Sequence, residues 1–122
     1  MELNEYQRQA MTTCMDSSNN VSYMLFNLIG EVGEFASKVA KGIRKEVYAV
    51  NNNQLQLINS KNHNIESIRE DELMKEAGDI LWQLSGLCSV MGWTLDDVAK
   101  QNLEKLASRQ QRGIIDGNGD NR

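Results

Sequence analysis

Apolar residues recur along most of this chain at the spacing of one helical face, and the stripes they draw predict four helices. The first runs from about Leu3 to Met15 on Leu3, Tyr6, Ala10 and Cys14, until the polar run Asp16-Ser17-Ser18-Asn19-Asn20 breaks it. The second spans about Val21 to Lys45 on Val21, Leu25, Leu28, Val32, Phe35, Val39 and Ile43, widened by Met24 and Ala36. From Glu46 to Ile65 the signal weakens. Asn51-Asn52-Asn53 and Lys61-Asn62-His63-Asn64 bracket Leu55, Leu57 and Ile58 there, and asparagine prefers turns to helix interiors. This stretch reads as an insertion holding a short helix or a hairpin. A third helix starts at the capping-box spacing Ser67-x-x-Glu70, or near Asp71, and continues to about Met91 on Leu73, Ala77, Ile80, Leu84, Leu87 and Met91. Gly92 ends it. Thr94 then caps a fourth helix, with Asp97 at N3 and Trp93 facing Val98 as a hydrophobic staple. That helix runs through Leu95, Val98, Leu103 and Leu106 to about Arg112, and Gly113 stops it. The expectation is an all-α, four-helix-bundle-like domain over residues 1–113, followed by a flexible tail over 114–122.

One pattern occurs twice within these stripes. Leu28-Ile29-Gly30-Glu31-Val32-Gly33-Glu34-Phe35 aligns with Leu73-Met74-Lys75-Glu76-Ala77-Gly78-Asp79-Ile80, matching Leu28 to Leu73, Glu31 to Glu76, Gly33 to Gly78 and Glu34 to Asp79. At about 100° per residue, each copy sets two carboxylates on the same shoulder of its apolar stripe. Two such helices packed antiparallel bring four carboxylates to one edge of the seam, where they repel unless a cation sits between them. A lone Glu-x-x-Glu is ordinary on a solvated helix face. The repetition, the position beside the core stripe and the glycine inside each pair argue for more. Glycine in a helix interior costs about 1 kcal/mol against alanine, so Gly33 and Gly78 point to close backbone approach or to ligand space. A hard cation suits an all-oxygen cage, with Mg²⁺ the first candidate and Mn²⁺ its substitute.

Composition narrows the class. The chain has 122 residues, enough for one domain with its own core, and it contains no proline. A net charge of −4 offers no basic field for nucleic acid or an anionic membrane. No apolar run is long enough to span a bilayer, and the acidic N-terminus does not resemble a signal peptide. Cys14 and Cys88 fall near apolar stripes and read as buried free thiols of a cytoplasmic protein. His63, the single histidine, reads as a solvated loop residue. Phe26 and Trp82 lie nearly opposite the stripes of their helices. Trp82 could stack on a base, but a second buried layer is the preferred reading, and it implies a homodimer or homotetramer.

Basic residues gather where a polyphosphate would need them. Lys38 falls between Glu31 and Glu34 on the helical wheel, with Lys41 and Lys45 near the same face. Asn102, Lys105 and Arg109 share one polar face of the fourth helix. Each alone reads as an ordinary solvated side chain.

Glu31-x-x-Glu34 followed by Glu76-x-x-Asp79, with Asn102-x-x-Lys105-x-x-x-Arg109 on the next helix, resembles the MazG-like all-α nucleoside triphosphate pyrophosphohydrolases. The resemblance covers roughly Tyr6 to Gly113. The gap from Glu34 to Glu76 exceeds the family's usual spacing because of the Asn-rich insertion. The resemblance implies Mg²⁺ held by Glu31, Glu34, Glu76 and Asp79, and cleavage of a nucleoside triphosphate between its α- and β-phosphates. Lys38, Asn102, Lys105 and Arg109 then serve the phosphates. Any of the four carboxylates could activate the water, and Glu34 is the first choice. Alternatives from the same resemblance are a phosphoribosyl-ATP pyrophosphohydrolase and a non-catalytic oligomerising or regulatory module.

Overall fold

The computed structural model describes residues 1–58 and 70–120, so Ser67, His63 and the run 61–64 lie outside the described residues. Among them the chain forms α1 (Leu3–Met11), α2 (Val21–Arg44), β1 (Tyr48–Asn51), β2 (Gln54–Leu57), α3 (Glu70–Val90) and α4 (Leu95–Gln111). The fold is all-α apart from one small hairpin. That hairpin opens the insertion. β1 and β2 pair antiparallel, Tyr48 opposite Leu57 and Asn51 opposite Gln54. Asn52 and Asn53 form the turn with φ of 52° and 59°, the left-handed backbone that asparagine tolerates better than most residues.

Local chemistry sets most helix ends. Asn20 caps α2, its Oδ1 accepting from the Tyr23 amide at 2.8 Å, and Thr94 caps α4 by accepting from the Asp97 amide at 3.1 Å. Helices α3 and α4 both close with a left-handed glycine: Gly92 at φ 74° and Gly113 at φ 67°. The Trp93 and Ile114 amides then donate back to the Cys88 and Arg109 carbonyls at 2.8 and 3.0 Å. Helix α2 ends in the same geometry with Glu46 at φ 59°, a left-handed position that the sequence does not mark with glycine. Helix α1 stops at Met11, short of the expected Met15. The hydroxyls of Thr12 and Thr13 bond back to the Gln9 and Ala10 carbonyls at 2.6 and 2.7 Å, and a 3₁₀ turn at Asp16–Ser18 follows.

The main packing contact joins α2 and α3. They run antiparallel, since Asn27 reaches Gln83 while Lys38, farther along α2, reaches Glu76 and Glu72, farther back on α3. Gly86 leaves room for the Met24 thioether, and Gly42 for the Tyr48 ring; a Cβ at either would overlap its neighbour. Val47, Tyr48 and Leu73 form a buried cluster against Phe35 and Val39, seating the hairpin beneath the turns that carry Glu34 and Glu76. Helix α1 lies on α3 and on the start of α4. Buried Gln7 ties them together, donating to Ser89 Oγ and the Trp93 carbonyl and accepting from the Leu95 amide. The Trp82 indole donates to the Ala10 carbonyl and Thr13 Oγ1, which makes Trp82 an anchor for α1.

The α2 stripe is less covered than its pattern predicts. Val21, Leu25, Val32 and Ile43 are exposed, while Met24 is fully buried. The reason is architectural: among the described residues α2 packs mainly along α3, and α4 packs mainly on α1. Large apolar side chains also stand in solvent on three helices, with Phe26 70% exposed, Ile29 67%, Met74 68% and Leu103 66%.

Candidate functional site

The α2–α3 seam gathers acids. Carboxylate oxygens of Glu31, Glu34 and Glu76 all lie within 4.8 Å of one another. Antiparallel packing produces this, because each repeat sets its acids on the shoulder that faces the other helix. Asp79 is not part of that group, although its charge reaches it. Burial first, then the carboxylates of Glu34, Asp79 and Glu76, push the Glu31 carboxyl above its ordinary value, opposed by a hydrogen bond from Asn27. Burial and the Asp79 charge likewise raise the Tyr6 phenol, which places Asp79 toward α1.

Glu76 is the buried member, 8% exposed. Its Oε1 accepts from Lys38 Nζ at 2.6 Å, and Lys38 also reaches Glu72 at 3.6 Å. The Glu76 bond is the largest influence raising the Lys38 ammonium above its ordinary value. Lys38 thus sits among the acids as their counter-charge. Its single positive charge does not satisfy the site: Glu76 Oε2 is buried with no hydrogen-bond partner among the described residues. A buried carboxylate oxygen left unpaired costs several kcal/mol by the usual scale, roughly 1–3 for a neutral group and more for a charged one. Hard oxygen donors in excess of the local positive charge fit a divalent cation. Gly33 and Gly78 add to this. A Cβ at either would meet nothing within 4 Å, so close backbone approach is not their reason and open space remains around them.

The bases of α4 are arranged differently. Arg109 is 5% exposed, and its Nη2 donates to Asp120 Oδ1 at 2.9 Å and to the Gly119 carbonyl at 3.3 Å. Lys105 Nζ reaches the same Asp120 oxygen at 3.2 Å. These two bonds, that of Arg109 first, hold the Asp120 carboxyl below its ordinary value. Arg109 Nε is buried without a partner among the described residues. Asn102 and Lys105 line an open hollow of about 770 Å³ together with Trp93 and Gln101. The structure therefore brings Lys38 to the acids, while Lys105 and Arg109 face the carboxylate of the segment expected as a free tail.

Further side chains contribute to the two regions. Asn27 and Glu72 each stand one helical turn before an acid of the cluster, a spacing that does put side chains in contact. Nothing local in the sequence marks Asp120.

The sequence profile of the MazG nucleotide pyrophosphohydrolase domain matches residues 19–114, a span that includes both acidic repeats and the α4 bases. The "Gene 37 protein" of Mycobacterium phage L5 is 34% identical over 129 aligned positions, covering all of both chains. No solved structure matches the chain. With the profile covering most of its length and every acid of the repeated pattern, this chain belongs to the MazG nucleotide pyrophosphohydrolase family.

Proposed function

We propose that this protein is a Mg²⁺-dependent nucleoside triphosphate pyrophosphohydrolase of the housecleaning kind, releasing a nucleoside monophosphate and pyrophosphate from (d)NTPs. The observation that carries the reading is the orphaned Glu76 Oε2 within a cluster of three carboxylates. Glu31, Glu34 and Glu76 would hold the cation, with Asp79 as the fourth ligand after a side-chain movement. When bound, Mg²⁺ supplies neutralisation of the triphosphate and of the leaving pyrophosphate. Glu34 is the exposed acid of the cluster and so the one best able to meet a water molecule. It takes the proton as the water oxygen bonds to the α-phosphorus, and the bond from that phosphorus to the bridging oxygen breaks. Lys38, Asn102, Lys105 and Arg109 bind phosphate oxygens. Charge-assisted bonds to the departing pyrophosphate strengthen as negative charge builds on it, which lowers the barrier.

The exposed apolar faces support a homodimer or homotetramer. Phe26 and Ile29 on α2, Met74 on α3 and Leu103 on α4 are large apolar side chains left mostly exposed, and a partner copy would cover them. Sedimentation showing a stable folded monomer at micromolar concentration would remove this part of the proposal. The reaction is tested with a panel of NTPs and dNTPs and Mg²⁺ in ¹⁸O-labelled water. The expected result is label in the monophosphate; label in pyrophosphate or orthophosphate refutes the proposed bond cleavage.

A further inference from the structure

We infer that Gln83, acting through Asn27, is a positioning residue that fixes the Glu31 carboxylate for cation binding; this rests on the metal-site reading above. Asn27 Nδ2 lies 3.2 Å from Glu31 Oε1 and 2.9 Å from Gln83 Oε1, with the Tyr23 hydroxyl farther away at 3.4 Å. Gln83 is 1% exposed, and its Nε2 faces the Met24 carbonyl at 3.5 Å and the Met24 sulfur at 3.4 Å.

The two ends of this chain of amides determine its direction. An ionised Glu31 carboxylate can only accept, and so can the Met24 carbonyl. Asn27 must therefore turn its two N–H bonds toward Glu31 and Gln83. Gln83 must turn its carbonyl toward Asn27 and its N–H toward Met24. Reversing Asn27 would set its oxygen against the oxygens of Glu31 and Gln83, and reversing Gln83 would set its nitrogen against that of Asn27 and its oxygen against the Met24 carbonyl. Met24 is itself held, since its thioether fills the space left by Gly86. A hydrogen-bonded path thus leads from fully buried Met24 in the α2–α3 seam to one carboxylate of the acid cluster. Glu31 is the member that most needs it. Three other acids act on it, and a carboxylate free to rotate would swing away from them. Partners of this kind, one shell behind a metal ligand, set the ligand's orientation and typically change metal affinity 10- to 100-fold when removed.

The test is Mn²⁺ binding followed by electron paramagnetic resonance in the intact protein, without nucleotide, on Asn27→Leu, Gln83→Met and the double variant. Thermal melts run in parallel to report folding. Each single variant is expected to weaken Mn²⁺ about tenfold. The double variant is expected to be no weaker than Asn27→Leu alone, because Gln83 acts only through Asn27. Equal Gln83→Met losses on both backgrounds would show general structural damage and overturn the inference. Mn²⁺ affinity within twofold of the native protein in folded Asn27→Leu would overturn it as well. If Gln83→Met does not fold, the native protein carries the test. Its Gln83 side-chain amide NMR signal should shift on Mg²⁺ addition with the midpoint of the Asn27 signal, and an unmoved Gln83 signal counts against the relay. Glu76→Gln separates the two readings. Loss of Mn²⁺ binding there with none in Asn27→Leu defeats the relay alone, and no effect in Glu76→Gln defeats the metal site and the relay together.

Discussion

The acid cluster on α2 and α3 and the basic pair on α4 are built from opposite charges, and they differ in how those charges are answered. Glu31, Glu34 and Glu76 lie close together, Lys38 pairs with Glu76 of the three, and a buried Glu76 oxygen has no partner among the described residues. Lys105 and Arg109 already hold a carboxylate, that of Asp120, from farther along the same chain. Among the described residues, the first region carries more negative charge than its cationic neighbour answers. The second has an internal occupant, so an incoming anion must displace it. A cation is therefore expected to stabilise this protein, whereas a phosphate competes with a contact the fold already makes.

The largest break in that contrast comes at Glu76. Replacing it with Gln removes the buried charge that anchors the cluster while keeping its shape. Mg²⁺-dependent hydrolysis is expected to fall by about 100-fold or more, with helicity by circular dichroism unchanged. Near-native turnover would mean that the acid cluster is not a cation site. On the other side, Arg109→Ala removes a charge-assisted donor worth about 1.5–3 kcal/mol, so kcat and nucleotide affinity should each drop about tenfold. A change in KM alone would place Arg109 in binding and outside the barrier-lowering step.

How far each region can be read from sequence follows from the range of its interactions. The acid cluster is legible because a helix converts spacing into position: Glu31 and Glu34, like Glu76 and Asp79, fall on one shoulder by periodicity alone. What periodicity does not give is side-chain direction, and Asp79 stands outside the close group for that reason. The helix cap at Thr94 and the stops at Gly92 and Gly113 are local and are read correctly, whereas the polar run before α2 does not single out Asn20 as the cap. Glu46 in the left-handed region is also local but has no residue signature. The hairpin turn at Asn52-Asn53 was one of two open readings, since short apolar runs fit either a strand or a helix. The partial exposure of the α2 stripe and the contact of Asp120 with Arg109 depend on which elements meet. No spacing within a segment encodes that.

Smaller effects probe the repulsion itself. Glu31→Gln removes one negative charge from the cluster and can keep an acceptor for Asn27. In chelator, relief of like-charge crowding is expected to add about 1 kcal/mol, a rise of roughly 3–6 °C in Tm. With saturating Mg²⁺ the order should reverse, because the native protein then gains ligand-linked stability that the variant lacks. Identical melting of the two proteins in chelator would show that the acids are already relieved within the fold.

The smallest expected effect lies at Asp120, and it tests whether the internal carboxylate and an external phosphate use the same donors. Asp120 is largely exposed, and an ion pair of that kind is screened by solvent and worth little. Removing the competitor by Asp120→Ala should accordingly tighten pyrophosphate binding by roughly two- to fivefold, measured by calorimetry without divalent cation. The pH dependence has a fixed sign. Arg109 and Lys105 hold the Asp120 carboxyl below its ordinary value of 3.8, so the contact is fully formed above that value and is lost as pH falls through the lowered one. The advantage of Asp120→Ala over the native protein should then persist across the neutral and mildly acidic range and shrink only under strong acid. Equal affinity of the two proteins at neutral pH would separate the anion site from the tail. Weaker binding in the variant would make Asp120 a support for Arg109 instead of its rival.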